Sequence, residues 1–148
     1  MIIVIADTSG LLAALDSTHP EHQASSEAIM AAGLLVMSPL LLAEIDHVAT
    51  RELGREAALS AVDDIRIWMR RGRIVVPEIT EDHLGVAQSV RARYRDLDLD
   101  LADAVNVALA ADYDTDAVLT LDRRDFRAVR PLGRHKAFRV LPDDDLPL

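Results

Sequence analysis

Short apolar runs, separated by stretches of helical periodicity, constrain this chain more than any other feature. Runs suited to buried strands sit at Ile2–Ile5, Leu34–Met37, Ile74–Val76, Ala117–Leu121 and, more weakly, Phe138–Leu141. Between them the pattern turns helical. "SPLLLAEIDHVATRELG" begins with Ser38 as the expected N-cap and Pro39 at the first helical position, and Gly54 closes it. "TEDHLGVAQSVRARY" opens with Thr80 as N-cap and two acids in the first turn, where the helix dipole favours them. "DLADAVNVALAADY", with Asp100 as its expected N-cap, is apolar nearly all round and predicts a central, buried helix. Strands alternating with helices predict an α/β fold with a central parallel sheet covered on both faces. The expected architecture is a three-layer α/β/α sandwich, with residues 1–148 forming one domain.

A chain of 148 residues is long enough to bury a real core, and with 50% apolar but only 3% aromatic residues that core must be aliphatic. The absence of cysteine excludes disulfides and thiolate metal sites and fits a reducing compartment. The apolar start lacks the basic flank and length of a signal peptide, and no run approaches a membrane span. A soluble, cytoplasmic protein is expected. The net charge of −9 argues against gripping nucleic acid by bulk charge. Its distribution is uneven, however. Residues 1–50 contain no Lys or Arg, whereas seven basic residues between Arg123 and Arg139 stand against one acid, Asp125. That segment is either a solvated surface or a local patch able to hold a phosphate backbone.

The first strand run ends in an acid, within "IIVIADTSGLLAAL". A carboxylate at the carboxyl end of a buried strand is costly unless something compensates it. In parallel α/β sheets, functional groups gather beyond those strand ends. Asp7 and, in "TLDRRDF", Asp122 both follow strands; capping the next helix would explain Asp7 alone, and the same role before a short turn would explain Asp122. Glu44, at ~100° per residue, falls beside Leu40, Leu41 and Val48, which puts it in the apolar stripe. A buried ion pair with Arg51 is its structural alternative. Asp103 occupies the first turn of the buried helix, where service to the helix dipole would account for it, with Asp98 and Asp100 in the preceding loop. Four such acids converging would repel one another and raise their pKa values. A divalent cation is the economical compensation. Oxygen donors without cysteine or a well-spaced histidine set predict a hard ion, Mg²⁺ or Mn²⁺. His19 and His22, in the loop-like "THPEH", are not expected to bind zinc.

An early strand ending "ADTSGL", a mid-chain helix with Glu44, "LADAVNVALA" with Asp103 and "TLDRRDF" with Asp122 resemble, in order and spacing, the PIN-domain nucleases. Within them the chain is similar to the VapC-type toxins of bacterial toxin–antitoxin pairs. The resemblance implies that Asp7, Glu44, Asp103 and Asp122 form a catalytic, metal-binding constellation for Mg²⁺ or Mn²⁺. It also implies Ser9 and Thr120 as hydroxyl partners and Asp125 as an accessory acid. Asp98 and Asp100, beside Asp103, leave open which acid caps and which ligates. The implied activity is metal-dependent endonucleolytic cleavage of RNA, the ion activating water and neutralising charge at phosphorus. Arg123, Arg124 and Arg127 are the candidate RNA-backbone contacts, and few aromatics are available for base stacking.

The same resemblance implies a small cognate antitoxin whose tail blocks the acidic pocket, a homodimer, and no membrane partner. The helices at Ser38–Gly54 and Arg55–Arg71, with exposed-looking Trp68 and Met69, are candidate surfaces for either protein. Haloacid-dehalogenase-like phosphatases require a second aspartate two residues after the first, where this chain has Ser9. Receiver domains require an early acidic pair and a late lysine at a strand end, and the single lysine here is Lys136. The remaining alternative is a non-catalytic PIN-like binding module, acting in a repressor complex with the acids as a docking site.

Overall fold

A computed structural model describes residues 1–144; the last four residues of the expected domain lie outside the described residues. Five strands, β1 (Ile3–Ala6), β2 (Leu34–Met37), β3 (Ile74–Val75), β4 (Ala117–Leu119) and β5 (Arg139–Leu141), form one sheet in the order β3-β2-β1-β4-β5. Every pairing is parallel. The helices are α1 (Thr8–Leu15), α2 (His22–Ala31), α3 (Leu40–Leu53), α4 (Arg55–Arg70), α5 (Glu81–Arg93), α6 (Leu101–Asp112) and α7 (Arg123–Ala128).

Successive strand residues point to opposite faces, so each strand feeds two cores. Val4, Leu35, Met37, Ala117, Leu119 and Leu141 pack with Leu11, Ile29, Leu41, Ile45 and Ile65 of α1 to α4. Ile5, Val36, Val118 and Val140 pack on the other side with Ala87, Val90, Val105 and Leu109 of α5 and α6 and with Phe126 of α7. Phe126 meets Phe138 edge-on, with ring centroids 5.7 Å apart. Each fully buried large aliphatic side chain in these layers stabilises the fold by roughly 1.5–3 kcal/mol relative to exposure. The three-layer α/β/α sandwich is therefore the observed architecture. Among the described residues no helix is long and apolar enough to cross a membrane.

The register positions the chemistry. Ala6, the last residue of β1, lies opposite Met37 of β2 and Leu119 of β4. The next residues of the two central strands, Asp7 and Thr120, consequently emerge side by side. The Asp7 N–H still donates to the Leu119 carbonyl at 3.0 Å. Helix α1 then passes close over the end of β4: a Cβ on Gly10 would stand 2.6 Å from the Leu119 oxygen. Only glycine tolerates that approach.

Several local expectations shift. Strand β4 stops at Leu119, two residues early, although the Thr120 N–H continues the ladder to Leu141 O at 3.0 Å. Helix α3 starts at Leu40, with Pro39 at the cap position; the Ser38 hydroxyl nonetheless accepts from the Leu40 N–H at 3.2 Å. His22 begins α2 rather than lying in a loop. That helix buries only Ser25 and Ile29, too thin an apolar stripe to announce itself in the sequence. Asp122 precedes a six-residue helix, α7, where a short turn was expected. Trp68 is half-buried against the α1–α4 core, while Met69 is 42% exposed.

Candidate active site at the carboxyl end of the sheet

Asp7 leaves β1 in an extended conformation and occupies the cap position of α1, yet its side chain makes no capping bond. Its Oδ2 instead accepts from the Thr120 hydroxyl at 2.7 Å and, more weakly, from the Ser9 hydroxyl at 3.4 Å. Those hydroxyls are themselves held. Ser9 Oγ accepts the Leu121 N–H at 2.9 Å, and Thr120 Oγ1 accepts the Asp122 N–H at 2.9 Å. Ser9 and Thr120 thus knit the ends of β1 and β4 around a carboxylate that is only 6% exposed. Burial pushes the Asp7 carboxyl above its ordinary range; the Thr120 hydroxyl and the Thr8 backbone pull against it, and the charges of Glu44 and Asp100 add to the rise.

Helix α6 supplies the facing acid. Asp100 caps it, accepting the Asp103 N–H at 2.8 Å, so Asp100 is the capping residue and Asp103 is free to face the site. Asp98 sits outside, exposed, in a left-handed turn conformation with φ 52°. Carboxylate oxygens of Asp103, Asp122 and Asp125 lie within 4.8 Å of one another. Burial, followed by the charges of Asp7, Asp100, Asp122 and Asp125, pushes Asp103 up to about 8. Asp122 is also raised, first by burial and then by the charge and hydrogen bond of Asp125. Asp125 enters this cluster from the first turn of α7.

Glu44 departs from expectation. The buried stripe of α3 is Leu41, Ile45 and Ala49, and Glu44 lies beside it, exposed. A residue adjacent to Leu40 gains no burial from it, because Leu40 is itself 37% exposed. No buried ion pair forms either, since Arg51 pairs with Glu52 at 3.3 Å on the surface. Glu44 stands at the rim, near enough for its charge to raise Asp7.

The arginines are only partly available. Arg123 pairs with Glu21, and Arg127 grips Asp143 at 3.0 Å and Asp144 at 2.7 Å. Arg124 is exposed and forms no ion pair among the described residues. Among the buried polar residues that the sequence reading did not single out, one lies close to the site. Asn106 lies in the middle of α6, and its Nδ2 donates to the Ala6 carbonyl at 3.4 Å. Its signal was an amide in an otherwise aliphatic stretch.

The donor set here is entirely oxygen, and none of Asp7, Asp103, Asp122 or Asp125 pairs with Lys, Arg or His among the described residues. One buried carboxylate beside three partly exposed ones, repelling one another, fits a hard divalent cation. Residues 4–131 match the PIN domain, and the chain belongs to that family. It is similar to Ribonuclease VapC26 of Mycobacterium tuberculosis, with 37% identity over 140 residues covering 94% of this chain and all of the relative. Solved structures share the fold at low identity, among them the following two. The Mycobacterium tuberculosis VapC20 toxin, described as sarcin–ricin loop cleaving, superposes with a TM-score of 0.70 at 19% identity, over 80% of this chain and 89% of its own. VapBC2 from Rickettsia felis, bound to a promoter DNA fragment, gives 0.67 at 13% identity, over 94% and 98%.

Proposed function

We propose that this protein, a single PIN-like domain, is a cytoplasmic metal-dependent endoribonuclease and the toxin of a toxin–antitoxin pair. The observation that carries the reading is the convergence of Asp103, Asp122 and Asp125 beside buried Asp7, with no ion pair to a cationic side chain among the described residues. The relative named a ribonuclease, matched over its whole length, supports RNA as the substrate class.

Asp7 and Asp103 would hold the principal ion, Mg²⁺ or Mn²⁺, and Asp122 and rim-placed Glu44 would complete the pocket. Asp125 serves as the accessory acid. Ser9 and Thr120 hold the Asp7 carboxylate in one orientation through the bonds described above. The bound ion would lower the pKa of water and stabilise charge on the phosphoryl oxygens. Arg124 is the arginine most available to a phosphate, whereas Arg123 and Arg127 would have to exchange carboxylate partners for RNA. Arg124→Glu should therefore weaken RNA binding and reduce the slope of its salt dependence by about one, measured by fluorescence anisotropy.

A small antitoxin is the proposed protein partner, a reading supported by the VapBC2 structure from Rickettsia felis; a second copy of the chain is a further proposed partner. The test is incubation of purified, antitoxin-free protein with RNA in Mg²⁺, Mn²⁺ or EDTA, beside Asp7→Asn. Discrete fragments that require the metal and fall by roughly two orders of magnitude or more in the variant are the expected result. Absent cleavage together with absent metal binding would favour the non-catalytic binding module.

A further inference from the structure

Asn106 breaks the rule that the rest of α6 obeys. It is completely buried between Val105 and Val107 in a helix whose other buried residues are all Ala, Val or Leu. Its Oδ1 is buried without a hydrogen-bond partner. Turning the amide over would set that oxygen against the Ala6 carbonyl, acceptor against acceptor, so the orientation is determined by chemistry. A buried, unpaired acceptor lowers stability, and the single bond it comes with, at 3.4 Å, is long. An apolar side chain would serve the packing better. Such departures from local rules concentrate where function requires them.

The location says what that function is. Asn106 follows Asp103 by three residues, so the two share a face of α6. The carbonyl it holds belongs to the residue immediately before Asp7. We propose that Asn106 is a positioning residue: its amide ties α6 to the end of β1 and so sets the spacing between the Asp7 and Asp103 carboxylates for cation binding. This inference rests on the metal-dependent reading given above. Groups that orient metal ligands without touching the metal typically change affinity by about 10–100-fold when removed.

Asn106→Leu and Asn106→Ala separate the amide from the packing. Leucine keeps the number of side-chain heavy atoms, whereas alanine leaves a cavity. Titration with MnCl₂ by calorimetry should show the Mn²⁺ dissociation constant rising about 10-fold or more in both variants. Melting temperatures in EDTA should diverge, with the leucine variant at or above wild type and the alanine variant below it. Affinity that is unchanged in both, or that simply follows the melting temperature, would overturn the positioning role. A wild-type protein that binds no Mn²⁺ would instead overturn the metal reading, and the role of Asn106 with it.

Discussion

Strand β4 has acids at both of its ends, and their surroundings differ. Before the strand, Asp114 accepts from Arg134 at 3.0 Å and faces His135 at 3.4 Å, while Asp116 pairs with Arg139 at 3.3 Å and His135 at 3.6 Å. The hydrogen bond from Arg134 holds the Asp114 carboxyl below its ordinary range. After the strand, Asp122 faces Asp125 and Asp103, with Asp7 adjacent, and its carboxyl is raised. The same residue type, on two ends of one short strand, shifts in opposite directions. At the amino end the chain neutralises its own acids. At the carboxyl end it concentrates them without an ion pair among the described residues, an arrangement that fits a cation-dependent site.

The largest expected effect tests that contrast directly. Asp103→Asn should weaken Mn²⁺ binding by roughly 10-fold or more, measured by calorimetry, because it removes a charged donor from the centre of the cluster. Binding at wild-type strength would place the ion elsewhere. An intermediate effect concerns pH. Asp103 sits near 8 in the folded protein against an ordinary value of 3.8. Between those values the native state binds more protons than the unfolded one, so the metal-free protein should lose stability as pH rises through that window. Urea midpoints in EDTA at pH 5 and pH 8 measure this, and Asp103→Asn should flatten the difference. A midpoint that rises with pH would contradict the raised carboxyls. The smallest effect belongs to the amino end. Asp116→Asn should reduce stability by about 0.5 kcal/mol in urea denaturation, as expected for a partly exposed ion pair, and leave Mn²⁺ affinity unaltered. If it impaired Mn²⁺ binding as strongly as Asp103→Asn, the distinction between the two ends would collapse.

Much of the site was legible because strand ends are local features. Asp7 and Asp122 stand out in sequence since each closes a β-branched or aliphatic run, and Asp100 reads as a cap because capping spans only four successive residues. Glu44 misled for a geometric reason. Helical periodicity identifies neighbours on a wheel but not where the stripe's edge meets solvent, and Glu44 falls just beyond that edge. The sequence left the arginine run open between a solvated surface and a basic patch because Glu21, Asp143 and Asp144, which engage Arg123 and Arg127, lie outside it in sequence. Helix α2 was missed because it buries just two residues, one of them serine.

By itself the sequence determined the α/β class, the order of the strands and of the longer helices that follow β2 along the chain, and which acids fall at strand and helix ends. Those properties follow from periods of about 2 and 3.6 residues, and a periodic pattern is read within a few residues of chain. Only the tertiary structure decided which acids meet, that Glu44 faces solvent, and that Asn106 reaches the end of β1. The Thr120–Asp7 bond spans 113 residues and the Asn106–Ala6 bond spans 100. Contacts at that separation depend on strand order, which places β1 between β2 and β4 once both faces of the sheet must be buried at the same time.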